Sequence, residues 1–155
     1  MSWLFPWTTS IETPIGWFVV EGVGGVQAAR FADEPVRGPD PLDLTSALRR
    51  YFDGQADALD AVPLDLRGTA YQLRVWERLR SIPPGETATY GQLAAELGSV
   101  ARAVGRANAT NPAPLFVPCH RVVGADEQLT GYAWGLLRKQ FLLDLETGHL
   151  TLPLG

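Results

Sequence analysis

Apolar and polar positions follow one period near the start of the chain and another after about residue 65. In the first 40 residues the apolar runs are short and dense. Thr8-Thr9-Ser10-Ile11, Trp17-Phe18-Val19-Val20 and Val26 to Phe31 are separated by a Pro14-Ile15-Gly16 turn and by glycines from Gly22 to Gly25. Runs of this length between turn residues predict three strands of a small antiparallel sheet. The period then lengthens. Asp40-Pro41 predicts a helix start, with Asp as the cap and Pro in the first turn. Leu44, Leu48 and Phe52 give that helix its apolar stripe, and Gly54 ends it.

Further on, helical spacing dominates. Thr69-Ala70-Tyr71-Gln72 is a capping box, predicting a helix to about Ser81, with Val75, Leu79 and Ile82 inward and Trp76 beside them. Pro83-Pro84-Gly85 stops it. Thr89-Tyr90-Gly91-Gln92 is a second capping box, and its helix carries Leu93, Ala94 and Leu97 before Gly98. Ser99 is the expected cap of a third helix, Val100 to about Ala109, with Val100, Val104 and Ala107 on its core face. Two short helices joined by a glycine turn predict a helix-turn-helix. A last helix is expected from Leu136 to about Thr147, with Leu137, Phe141 and Leu145 as its stripe, Leu136 and Leu142 beside it, and Gly148 as C-cap.

The pattern therefore gives an α+β chain: residues 1–64, a three-stranded sheet with a helix, read as a support domain, and residues 65–155, mainly helical. Residues 53–67 are the expected connection. Composition narrows the classes. Apolar residues make up 46% of the 155 and charged residues 19%, which suits a packed core and not a disordered chain. A single cysteine excludes an internal disulfide and fits a reducing compartment, and with two histidines it cannot complete a Cys/His zinc site. No apolar run approaches ~18 residues and no basic segment precedes an apolar one at the start, so neither a membrane span nor a secretory signal is expected. The expected location is cytoplasmic. The net charge of −4 disguises an asymmetry. Residues 1–64 hold 4 Arg and 9 Asp/Glu, whereas 67–124 hold 7 Arg and 3 Glu. A basic middle fits a local phosphate footprint, and equally a scatter of solvated arginines.

The candidate chemistry lies in Asn111-Pro112-Ala113-Pro114-Leu115-Phe116-Val117-Pro118-Cys119-His120-Arg121-Val122. A lone thiol beside an imidazole, led in by three prolines, reads as a held nucleophile or as a buried, inert cysteine. Leu115-Phe116-Val117 is expected to be a short buried strand that Val122-Val123 extends. The Asn111 side chain is expected to bond the backbone and order the turn that presents Cys119. On the third helix of this half, Arg102 and Arg106 stand four apart on one face, among small residues such as Ala103 and Gly105 that let a phosphate backbone come close. His149 matches no motif and reads as a surface histidine.

Pro118-Cys119-His120-Arg121-Val122, with Asn111-Pro112 upstream, resembles the active-site motif of the O6-alkylguanine-DNA alkyltransferases. The likeness runs from about Gly68 to Gly148 and includes Gly68-Thr69-Ala70-Tyr71-Gln72, Ile82-Pro83-Pro84-Gly85, Arg102-Ala103-Val104-Gly105, the Tyr132 loop and Glu146. The resemblance implies an RNase H-like N-terminal part and repair of O6-alkylguanine, and conceivably of O4-methylthymine, in double-stranded DNA by a monomer without cofactor or metal. Cys119 would take the alkyl group once. His120 would receive the thiol proton through a water, held by Glu146, and Tyr90 would donate toward the leaving guanine. Arg102 and Arg121 would meet DNA, Arg102 filling the gap left by a flipped nucleotide; the shared helix face, not the resemblance, adds Arg106, with small Ala103 and Gly105 beside it. Tyr132, Ala133, Trp134 and Val122 would line the alkyl pocket. The chain departs from the family at Trp134, where glycine is usual, and at Arg106, where a small residue is. The alternative is a related lesion sensor that binds alkylated guanine without transfer, but such proteins carry tryptophan in place of the cysteine. A helix-turn-helix module with an inert cysteine would leave Asn111, Cys119, His120 and Glu146 unexplained.

Overall fold

The computed structural model describes residues 5–148; His149 lies outside them. Three strands, β1 (Trp7–Thr13), β2 (Gly16–Val23) and β3 (Gly25–Ala32), form an antiparallel sheet in sequence order. The turn residues act as their chemistry demands: Gly16 and Gly24 adopt φ of +117° and +73°, which a side chain would resist. Ile11, Phe18, Val20, Val26 and Phe31 point to one core, and α1 (Leu44–Phe52) covers it with Leu44, Ala47, Leu48 and Tyr51.

The start of α1 differs from the prediction at Asp40-Pro41. The helix begins at Leu44, yet Asp40 still supplies the cap: its carboxylate accepts from the amides of Leu44 and Thr45 at 2.7 and 2.9 Å. Asp43, the residue before the helix, is left-handed with φ 54°, so the chain loops once between the capping side chain and the helix it caps.

Both capping boxes form as read. Thr69 opens α2 (Ala70–Arg80) and Thr89 opens α3 (Tyr90–Leu97), each exchanging bonds with the glutamine three residues on. Gly98, at φ +62°, turns the chain into α4 (Ala101–Ala109), completing the helix-turn-helix. Ser99 is not its cap. Val100 takes that position without a side-chain bond, and the Ser99 hydroxyl pairs with Tyr71 at 2.8 Å. Val100 consequently stands 64% exposed, off the core face that Val104 and Ala107 keep. Trp76 ties α2 to α4 by donating its indole N–H to the Ala107 carbonyl at 2.8 Å.

The Leu115-Phe116-Val117 run is no strand. Leu115 is left-handed, φ 72°, and a tight turn closes between Pro114 and Val117. The pairing partner sits elsewhere: β4 (Ala88–Thr89) lies parallel to β5 (Val122–Val123), which brings the start of α3 beside the chain leaving Cys119.

The last helix, α5 (Leu136–Thr147), has the predicted bounds and the Gly148 cap, but not the predicted stripe. Leu137 is 90% exposed, and the buried side chains are Lys139 and Leu142. Lys139, Leu142 and Glu146 share one face at i, i+3 and i+7. Two charged residues can occupy an inner face only where partners await them, and here they do.

The first core does not stop at residue 64. Ala113, Leu115, Phe116 and Leu142 belong to it. Val75, Trp76, Leu79, Leu93, Val104, Val117 and Cys119 belong to the second. The turn that carries Cys119 thus lies between the two.

Candidate active site

Asn111 shapes the turn as its amide chemistry suggests. Its Nδ2 donates to the Val117 carbonyl at 2.8 Å and its Oδ1 accepts from the Ala113 amide at 3.0 Å. Those bonds hold Leu115 in a conformation that costs roughly 1–2 kcal/mol for an L-residue. Pro118 then leads into a 3-10 turn, Cys119–Arg121, which turns successive side chains about one third of a circle apart. Extended chain would have set Cys119 and His120 on opposite faces; the turn does not.

Cys119 is 5% exposed at the base of a pocket of about 240 Å3. Burial pushes its thiol up to about 11, against the opposing influences of Asn111 and the Lys139 charge. At neutral pH the group is a thiol, so attack by this cysteine needs a base. His120, wholly buried, is bonded through Nε2 to Glu146 Oε2 at 2.8 Å. A carboxylate can only accept, so Nε2 carries the hydrogen and Nδ1 keeps a lone pair. Nδ1 has no protein partner. Burial holds the imidazole below its usual pKa, with Arg121 and Lys139 assisting and Glu146 opposing.

Glu146 accepts four hydrogen bonds, three of them on Oε2 and one on Oε1. Besides His120, Arg121 donates Nε to Oε1 and Nη2 to Oε2, both at 2.8 Å, and the Tyr51 hydroxyl donates to Oε2 at 2.6 Å. Burial alone would raise this carboxyl; His120 and Arg121 instead hold it well below the usual carboxylate range. Arg121 is therefore not a DNA contact. It is 5% exposed, its fork is occupied by Glu146, and its Nη1 donates to the Ile82 carbonyl at 2.7 Å.

The pocket wall joins residues far apart in sequence. Tyr90, at the start of α3, is half-buried and faces Cys119, and burial followed by the thiol's charge keeps its hydroxyl protonated. Gly131 beside it adopts φ +48°, a left-handed conformation that a side chain would strain, although a Cβ there would meet the phenol oxygen only at an ordinary contact of 3.6 Å. Tyr132, Ala133 and Trp134 line the pocket. The Trp134 ring also lies edge-on to Phe31 of β3, centroids 5.9 Å apart. Val122 does not line it. Its side chain is fully buried in the second core because β5 pairs with β4. Gly105 faces the pocket and the Tyr90 ring rather than the outer surface of α4. Arg102 and Arg106 are exposed on α4, and Ala103 is half-buried.

Three residues of the site escaped the sequence reading. Asn108 is buried in the pocket wall and its Nδ2 reaches the Cys119 carbonyl at 3.5 Å. Lys139 donates to the carbonyls of Val122, Thr130 and Gly131 at 2.5, 2.6 and 3.2 Å, stapling the pocket loop to β5. Burial lowers its ammonium to about 8. Tyr51 comes from α1, 95 residues before its partner. Only Lys139 left a trace: Arg138-Lys139 fits the family pattern and it is the chain's sole lysine, but neither gave it a role.

Residues 70–148 match the family model described as the 6-O-methylguanine DNA methyltransferase DNA-binding domain. The chain belongs to the O6-methylguanine-DNA methyltransferase family. Among curated members, methylated-DNA–protein-cysteine methyltransferase of Mycobacterium tuberculosis is 46% identical over 149 residues, covering 88% of this chain and 90% of that one. The Shigella flexneri protein of the same name is 46% identical over 121 residues, 77% of this chain and 70% of its own. Among solved methyltransferases, M. tuberculosis OGT in complex with DNA superposes with a TM-score of 0.79 at 42% identity, over 92% of this chain and 93% of that one. The O6-methylguanine-DNA methyltransferase of Pyrococcus kodakaraensis gives 0.71 at 29%, over 90% and 98%. Within the described residues of this methyltransferase, no helix is long and apolar enough to cross a membrane.

Proposed function

We propose that the chain repairs DNA by moving the alkyl group of O6-alkylguanine to Sγ of Cys119, once per molecule. The observation that carries this reading is the sole thiol, in a pocket, beside an imidazole whose Nε2 is fixed by Glu146 and whose Nδ1 is free to take a proton. The thiol proton passes through a water to Nδ1. Sγ attacks the alkyl carbon, the carbon–O6 bond breaks, and its electron pair stays with guanine. The Tyr90 hydroxyl donates toward the base as that charge builds. Glu146 keeps the imidazole in the right tautomer, as in other acid–base relays. It stabilises the imidazolium less than a free carboxylate would, because Arg121 already neutralises it.

The reacting atom is stacked inside a duplex, so the nucleotide must leave the stack at a cost of a few kcal/mol. In this reading α4 lies against the minor groove, Arg102 fills the vacated space and Arg106 meets a phosphate. The protein acts as a monomer in the cytoplasm, where reducing conditions keep Cys119 a thiol. Transfer produces a thioether, which thiol exchange cannot reverse, and the chain has no second cysteine.

Mass spectrometry after mixing with a duplex containing O6-methylguanine tests the reading. One methyl mass should appear, on the peptide holding Cys119, and the signal should saturate at one per chain. Binding without any mass change would make the protein a lesion sensor. Sustained turnover would require a step that regenerates the thiol.

A further inference from the structure

Tyr51 is the one side chain of the N-terminal helix that reaches the proton relay. It is 1% exposed, its hydroxyl donates to Glu146 Oε2 at 2.6 Å, and that same oxygen holds His120 Nε2 at 2.8 Å. With Arg121 Nη2 at 2.8 Å, three donors on one oxygen compete for one charge. The more of that charge Tyr51 takes up, the less remains to favour a proton on His120.

We propose that Tyr51 is a positioning residue of the transfer reaction: by donating to Glu146 it weakens the pull of that carboxylate on His120 and so sets the pH below which His120 can no longer accept the thiol proton. The inference rests on the relay described above. The groups facing this relay are few. From α5 come Glu146 and Lys139; from the 3-10 turn, Cys119 and Arg121; from α1, Tyr51; from the pocket loop, Tyr132. Arg121 cancels most of the Glu146 charge, and Lys139 adds a second positive charge near the imidazole. The imidazole is thus held by opposing influences, and the Tyr51 hydroxyl acts on one of them. Burial, and then Glu146, hold the phenol far from ionising, so Tyr51 stays a donor across the working range.

The sign is definite. Tyr51→Phe removes the donor, returns charge to Glu146 and makes His120 easier to protonate. Its titration midpoint should rise by roughly half a pH unit. The acidic limb of the single-turnover rate should move up with it, so that the variant loses more activity near pH 6 than near pH 8. With two histidines in the chain, His149→Ala assigns the ring signals, and nitrogen NMR of the labelled full-length protein reads the midpoint directly. Leu48→Ala loosens α1 through a fully buried side chain outside the relay; it should lower the melting temperature and leave the midpoint where it was. If Tyr51→Phe fails to fold, 3-fluorotyrosine at position 51 keeps the shape and strengthens the donor, and the midpoint should fall. A midpoint unmoved by the phenylalanine or fluorotyrosine change overturns the proposal and leaves the relay reading intact. A midpoint that moves while the acidic limb stays put overturns the relay reading, and the role of Tyr51 in transfer with it.

Discussion

Cys119 shows why the residue scale has to be read from the folded chain. From sequence it is a thiol near its ordinary pKa; in place, burial pushes it up to about 11, and the base beside it is itself held below its usual value by burial. The motif made the pair Cys119 and His120 legible, because both sit in one short stretch. Arg121 was misread for the opposite reason. The resemblance offered it as a DNA contact, and the carboxylate that engages it lies 25 residues away. Lys139 yields a prediction of its own. Its three N–H groups converge on three carbonyls, so Lys139→Ala should cost about 3 kcal/mol or more in urea unfolding, through groups left unpaired. Lys139→Arg should not rescue it, since a planar fork cannot reach three carbonyls gathered round one point. Trp134 both lines the pocket and leans on Phe31. Trp134→Gly should speed reaction with O6-benzylguanine more than tenfold, ~1.4 kcal/mol in the barrier, and change O6-methylguanine repair much less. A benzyl rate no faster than wild type would show that the indole's place on Phe31, rather than its bulk in the pocket, decides its role.

Among the elements, those set by local chemistry were readable and those set by distant partners were not. The capping boxes at Thr69 and Thr89 need only residues three apart, and both form. The stripe of α5 was misjudged because apolarity was taken as the mark of burial. Lys139 and Glu146 go inside because carbonyls, His120, Arg121 and Tyr51 receive them, and Leu137 is left out. The two-residue pairing of β4 with β5 is too short to leave a pattern. In the proposed reading the exposed arginines of α4 divide the work. Arg102→Ala should slow repair of a duplex far more than reaction with free O6-methylguanine base, measured by single-turnover kinetics on both. Equal losses would remove the gap-filling role. Arg106→Ala should weaken binding to any duplex and reduce the salt slope of the affinity by roughly 1.

At the scale of the whole molecule, the relay also governs acid stability. His120 folds with its pKa below 6.5, so the unfolded chain takes up that proton first and stability falls as pH drops through 6.5. Glu146 folds with its pKa depressed, so its contribution is complete above 4.5 and is lost as pH falls below that value. Urea midpoints should therefore decline gently from pH 7 to 5 and steeply below about 4.5. A flat profile down to pH 4 would contradict both directions. The turn that carries the nucleophile has a wider consequence. Ala113, Leu115, Phe116 and Leu142 are shared with the sheet and α1, so residue 70, where the match to the DNA-binding-domain model starts, is not expected to be a boundary of cooperative folding. Amide hydrogen exchange should show α1 and the nucleophile's turn opening together, with the same free energy, as one foldon. Recombination between relatives meets the same constraint: a crossover between α1 and α2 separates Tyr51 from Glu146 and one half of a core from the other. The segment that the domain model matches is thus smaller than the segment that would have to be inherited as a working unit.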